Sequence, residues 1–288
     1  MKKLKLQKLI PITIMLPSIA IGAFTMYQNH ISAMIWMQNV LCFLFFSVIS
    51  CLLITHKSYL SKGRHKEYVL IAMCFLILTF ISPGLEGVHR WISFSVLRFN
   101  VAMIVLPIIL IGLWQALQWK ELKFAGIMAM GIILVLFYQP DASQLTGFAV
   151  PVMIMLYRRM SSKILRLLVA SIFSVFVILS WVYLDTLPPV DYVERILHMV
   201  ADLGLPLLIL GIISLVILPL PFLLFPPKNA ELISRIIGFY YTIIIGSTLF
   251  GNFPVPLMGY GLSPIIGYVI SINWYIKSKH ENGNAIIY

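Results

Sequence analysis

The sequence predicts an all-α, polytopic membrane protein of about ten transmembrane helices, with both termini in the cytoplasm. Three observations predict it. Of 288 residues, 60% are hydrophobic and 11% are charged, with a mean hydropathy of +0.97, and so few charges cannot solvate the surface of a soluble domain. Apolar runs long enough to cross a bilayer recur along the whole chain. Threading those runs with the N-terminus inside leaves 18 of the 21 lysines and arginines on the cytoplasmic side, as the positive-inside rule requires. Water-soluble enzymes, secreted disulfide scaffolds and disordered chains are excluded together. The net charge of +11 therefore reports topology, and no nucleic-acid partner is expected.

The spans follow in order. Basic residues from Met1 to Lys8 precede the first, at 9 to 27, as in a signal peptide, but no small-residue cleavage site follows, so it reads as an uncleaved span. The second, 34 to 55, and the third, 67 to 83, flank a basic cytoplasmic stretch with Lys57, Lys62, Arg64 and Lys66. An outer loop, 84 to 98, leads to the fourth at 99 to 118, in which Pro107 implies a kink. The fifth, 122 to 139, ends on Tyr138-Gln139-Pro140-Asp141, where proline stops one helix and an acid can cap the next. The sixth, 143 to 157, is short and holds Pro151, and the seventh covers 164 to 184. After the outer loop 185 to 204 comes the eighth, 205 to 225, with Pro219 and Pro221. The ninth covers 235 to 252, and the outer loop 252 to 262 precedes the tenth at 262 to 276. With no low-complexity linker and no internal repeat, the economical reading is one transmembrane domain over 1-288.

The outer loops carry the candidate chemistry. They hold six acids, Glu86, Asp141, Asp185, Asp191, Glu194 and Asp202, against three cations, Arg90, Arg98 and Arg195. Arg90 and Trp91 sit together at the membrane edge, either as an interfacial anchor or as a site for a phosphate or lipid headgroup. In Leu187 to Gly204, Val190, Val193, Leu197 and Val200 recur at helical spacing, and Asp191, Arg195, His198 and Asp202 form another stripe. That pattern predicts an amphipathic surface helix with Asp191–Arg195 and His198–Asp202 pairs. One of these acids is a candidate general base; the alternative is a solvated ion-pair face. Phe253 to Pro264 packs three prolines and two glycines into twelve residues. It predicts a rigid turn entering the bilayer edge, tolerable only where buried in protein or facing a wet cavity. Cys42, Cys51 and Cys74 lie inside apolar runs without metal or redox spacing, and no metal site is expected from them.

Taken in order and in topological register, these stretches resemble the SEDS family of bacterial cell-cycle and cell-shape proteins (FtsW, RodA and SpoVE). Gly87 to Ile92 is similar to the family's G-x-R-R-W-I element, with His89 replacing the first arginine. Tyr138-Gln139-Pro140-Asp141 resembles L-Q-P-D-x-G without the glycine. Phe253 to Pro264 aligns ungapped with V-P-L-P-F-x-S-Y-G-G-S-S, keeping Pro254, Pro256, Tyr260, Gly261 and Ser263. The resemblance implies a ten-span SEDS-like bundle in the bacterial plasma membrane. It implies polymerisation of lipid II, an undecaprenyl-linked peptidoglycan precursor, in division, cell shape or sporulation, with a class B penicillin-binding protein as partner and a divalent cation as a candidate cofactor. On that basis Arg90, Trp91, Asp141, Tyr260 and Ser263 are the expected substrate-binding residues.

Two departures bear on activity. The family's Q-P-S-E-x-x-K segment corresponds to Asn100-Val101-Ala102-Met103 and Leu106, without acid or lysine. The loop motif that carries the family's catalytic aspartate places Val193 at that position, and a two-residue shift restores an aspartate before an aromatic, Asp191-Tyr192. Asp191 is therefore the expected catalytic residue. The alternatives are an inactive SEDS-like scaffold or regulator of envelope synthesis, and a transporter of a lipid-linked precursor.

Overall fold

The computed structural model describes residues 10–55, 63–95 and 97–284. The basic stretch Met1 to Lys8, and with it Lys57 and Lys62, lies outside the described residues. Every predicted span contains a helix: α1 (Ile10–Thr13) with α2 (Leu16–Gln28), α3 (Ala33–Thr55), α4 (His65–Leu78), α5 (Val101–Gln118), α6 (Leu122–Tyr138), α7 (Ala142–Tyr157), α8 (Lys163–Val182), α10 (Leu205–Ile217) with α11 (Leu220–Leu224), α12 (Glu231–Ser247) and α13 (Leu262–Asn284). A short α9 (Ile196–Asp202) precedes α10. Within the described residues the segments Ala33–Leu52, Val101–Gln118, Lys163–Val182 and Lys228–Ser247 are long and apolar enough to cross a membrane on their own. The chain is a multi-pass, all-α membrane protein. Side chains such as Leu44, Phe45 and Val48 on α3, and Leu167, Val175 and Ile178 on α8, are exposed, as expected where the solvent is lipid.

The helices gather into two compact units, Leu60–Leu187 and the remainder, Met1–Tyr59 with Pro188–Tyr288. In the first, α5 is the core: Leu106, Ile109, Leu110, Leu113 and Ala116 are fully buried, and α4, α6 and α7 pack on it. Gly112 makes the α4 contact possible, because a Cβ there would collide with Val69. Asn100 caps α5, its side chain accepting from the Met103 amide at 3.3 Å. The outer loop of this unit is not irregular throughout. Trp91–Phe94 (β1) pairs antiparallel with Leu97–Asn100 (β2), Trp91 opposite Asn100 and Phe94 opposite Leu97. Aromatic and β-branched residues favour such pairing, and the fourth span consequently starts at Val101 rather than 99.

In the second unit α13 packs on α3, α10 on α2, and α12 on α11. Ser18 of α2 donates to the Ser214 carbonyl of α10 at 3.0 Å. Pro219 and Pro221 divide the eighth span, and hydroxyls take up carbonyls at the break: Tyr268 to Leu218 at 2.8 Å, Ser234 to Phe222 at 2.8 Å and Tyr275 to Phe225 at 2.8 Å. A helix break at membrane depth is tolerable where neighbours satisfy it in this way. Pro107 and Pro151, by contrast, sit within continuous helices.

Glu86, Thr186, Asn252, Ser161 and Asn229 are all exposed, so each can report sidedness. In a variant without native cysteines, a single cysteine at 86, 186 or 252 is expected to react with an impermeant thiol reagent from outside, and one at 161 or 229 only after permeabilisation. Outside labelling at 161 would overturn the charge-based topology.

Candidate functional site

Two polar clusters contain the residues singled out by sequence, one in each unit. The first is built around Arg90, which is only 5% exposed. Its Nε donates to the Gln139 carbonyl at 3.0 Å, and its Nη2 donates to the Pro140 carbonyl and to Asp185 Oδ2. Asp141 Oδ2 lies 3.8 Å from Nε and accepts from Asn100 Nδ2 at 3.4 Å. Each carboxylate has a second duty: Asp141 Oδ1 accepts from the Gln144 amide at 3.1 Å and caps α7, and Asp185 Oδ1 accepts from the Leu187 amide at 3.1 Å. Gln139 in turn donates to Thr79 Oγ1 at 2.8 Å. Trp91 lies beside the guanidinium, its ring centre 5.9 Å from Cζ. This buried ion-pair web joins the hairpin, the end of α6, the start of α7 and the chain after α8. It engages Nε and Nη2 of the guanidinium expected for a phosphate, and Asp141 also caps α7.

The second cluster surrounds an open depression of about 610 Å³ lined by Asn29, Asp191, Glu194, Arg195, His198, Met199, Asp202, Thr248, Gly251 and Asn252. The surface helix expected from Leu187 to Gly204 forms only over Ile196–Asp202. Upstream of it, Val190 to Glu194 make a turn in which the Val193 and Glu194 amides donate to the Val190 carbonyl at 2.9 Å. Glu194 Oε2 closes it by accepting from the Val190 amide at 2.7 Å. Asp191 consequently lies outside the helix, and the expected Asp191–Arg195 and His198–Asp202 pairs are not formed. Asp191, Arg195, His198 and Asp202 are all exposed. Asp141 and Asp185, in contrast, are committed to Arg90.

The Asp191 turn is bolted to the proline-rich loop. The Val255 amide donates to the Val193 carbonyl at 3.1 Å, and the Tyr260 amide to the Tyr192 carbonyl at 2.9 Å. The Tyr192 and Tyr260 rings meet edge to face at 6.2 Å. On its other side the loop is held by two amides of α3: Asn39 Nδ2 donates to the Gly259 carbonyl at 2.9 Å, Asn39 Oδ1 accepts from the Gly261 amide at 3.1 Å, and Gln38 Oε1 accepts from the Tyr260 hydroxyl at 2.8 Å. Burial, with Tyr192 beside it, pushes the Tyr260 phenol above its ordinary pKa. Phe253, Val255, Leu257 and Met258 are buried, as the sequence requires of backbone entering at membrane depth. Gly22 is needed there because a Cβ would collide with the Met258 carbonyl. Ser263, also buried, lies at the start of α13.

Sequence reasoning missed Gln38 and Asn39, as well as Asn29, Thr248 and Asn252 on the rim. The signal was present: paired amides inside an apolar run need a reason to be there, and polar residues at outer span ends share one membrane depth. Among the described residues no group of three or more histidines, cysteines, aspartates or glutamates could hold a metal. The described residues therefore do not offer three such side chains to a divalent ion.

No protein-family model and no curated protein matches the sequence. Solved structures do match in fold. The rod-shape-determining protein RodA of Thermus thermophilus superimposes with a TM-score of 0.68 at 14% identity, covering 94% of this chain and 96% of that one. An aspartate-to-alanine variant of that protein gives the same values. The chain has a RodA-like, SEDS-like fold.

Proposed function

We propose that this chain is a SEDS-type protein of the bacterial plasma membrane that binds lipid II, or a related polyprenyl-diphosphate glycolipid, at its outer face and extends a glycan strand from it. The observation that carries the proposal is the position of Asp191: an exposed carboxylate without an ion-pair partner among the described residues, on the rim of a depression, on a turn hydrogen-bonded to the loop that resembles the family's third motif. Asp191 takes the proton from an acceptor sugar hydroxyl, the oxygen attacks the donor's anomeric carbon, and the bond to the polyprenyl diphosphate breaks. Such a reaction needs a base within hydrogen-bond reach of the hydroxyl and a cation beside the leaving diphosphate. Arg195, exposed in the same depression, supplies that cation. Tyr260 and Ser263 hold the loop against the Asp191 turn, and Arg90, Trp91 and Asp141 hold the outer end of their own unit around its hairpin. A class B penicillin-binding protein is the proposed partner.

A second reading, binding without transfer, is favoured by one specific feature. Where the family has an acid and a lysine, α5 presents the cap Asn100 followed by buried Val101, Ala102, Met103 and Leu106. Purified protein in liposomes with radiolabelled lipid II and its partner distinguishes the two. Polymeric glycan supports transfer, bound lipid without polymer supports the scaffold, and absence of both contradicts the proposal. Transbilayer flux of the label without polymer would identify a transporter.

A further inference from the structure

A different groove lies at the other end of the Pro188–Tyr288 unit, among three segments whose charges mark them as cytoplasmic. Pro11 and Ile14 of the first span, Ile217, Leu220, Pro221 and Phe225 at the proline break, and Tyr275 with Lys279 near the end of α13 enclose about 310 Å³. The break in the eighth span makes the groove, since α10 ends at Ile217 and α11 restarts at Leu220. The lining is apolar apart from the Lys279 ammonium and the Tyr275 hydroxyl, and the latter is committed to the Phe225 carbonyl at 2.8 Å.

Lys279 is the distinguishing feature. Its Nζ lies 5.2 Å from the centre of the Tyr275 ring and 5.8 Å from that of Phe225. No acidic side chain among the described residues pairs with it. A lysine stem lying along apolar surface with its head at the interface is ordinary snorkelling; here the head stands at an open, apolar groove. Cation–π contact with two rings holds the ammonium in place without neutralising it. Charge complementarity therefore selects the occupant: one acyl chain in the groove, and a phosphate without a compensating cation against Lys279.

We propose that this groove is a binding site for an anionic phospholipid of the cytoplasmic leaflet. It is independent of the outer-face chemistry, so neither proposal depends on the other. Native mass spectrometry of the purified full chain tests it, with phosphatidylglycerol and phosphatidylcholine of identical acyl chains titrated in detergent. Phosphatidylglycerol is expected to bind in preference to phosphatidylcholine. Lys279→Gln should reduce that preference about fivefold, the effect of roughly one interfacial cation, and Lys279→Arg should restore it. Ile217→Trp, which fills the groove, should weaken both lipids while leaving Lys279 in place. Equal binding of the two lipids by the unmodified protein, or an unchanged preference in Lys279→Gln, would overturn the proposal.

Discussion

Replacement of Asp191 by alanine is expected to abolish glycan synthesis in a protein that still folds and inserts. Positioned general-base catalysis contributes about 10² to 10⁴ in rate, so the polymerisation rate with lipid II should fall at least about a hundredfold. Because Asp191 is exposed and pairs with no cation among the described residues, its removal leaves no buried charge behind, and thermal unfolding in detergent should not move. Asp202→Ala removes an acid from the same depression but from the end of α9, beyond the turn fixed by the proline-rich loop, and should reduce the rate far less. Full activity in Asp191→Ala would remove it as the base. Equal losses in the two variants would indicate a general effect of negative charge in the depression.

The second large effect concerns folding. Arg90→Ala is expected to destabilise the protein by about 3 to 5 kcal/mol, the usual consequence of deleting one partner from a buried ion pair. Asp141 and Asp185 would each keep a carboxylate whose side chain is 4% and 14% exposed without the cation that both face. The carbonyls of Gln139 and Pro140 would also lose their donor. Chemical denaturation in mild detergent measures the change. Combining Arg90→Met with Asp185→Leu should cost less than the two single changes added together, since the pair then disappears as a unit. Unchanged stability in Arg90→Ala, with weakened glycolipid binding, would return the arginine to the ligand.

The sequence revealed the spans and concealed the local geometry, for separable reasons. A transmembrane helix needs roughly 20 apolar residues, and runs such as those containing Ala33–Thr55 and Val101–Gln118 carry that signal without tertiary context. The hairpin at Trp91–Phe94 and Leu97–Asn100 is too short to rise above an expected loop, although Trp-Ile-Ser-Phe has strand-forming residues. Residue spacing predicts a helix over 187 to 204, whereas only Ile196–Asp202 is helical and Val190 to Glu194 form a turn closed by the Glu194 side chain. That shift matters chemically, because it separates Asp191 from Arg195. Arg90 and Asp141 were visible as residues, whereas their mutual burial depends on Asp185, some ninety-five positions from Arg90, and no local pattern reports such a contact. The amides of Gln38 and Asn39 were legible in principle: they stand out in an apolar run, and their partners at Gly259, Tyr260 and Gly261 explain them.

In the proposed function the depression beside Asp191 receives the glycolipid head. A photoreactive amino acid placed singly at His198 or Asn252, both exposed on its rim, and at Asn229 on the cytoplasmic side as control, tests it in liposomes with labelled lipid II. Crosslinked lipid is expected from 198 and 252, competed by unlabelled lipid II, and none from 229. Labelling that is equal at all three positions, or absent from 198 and 252, would contradict it.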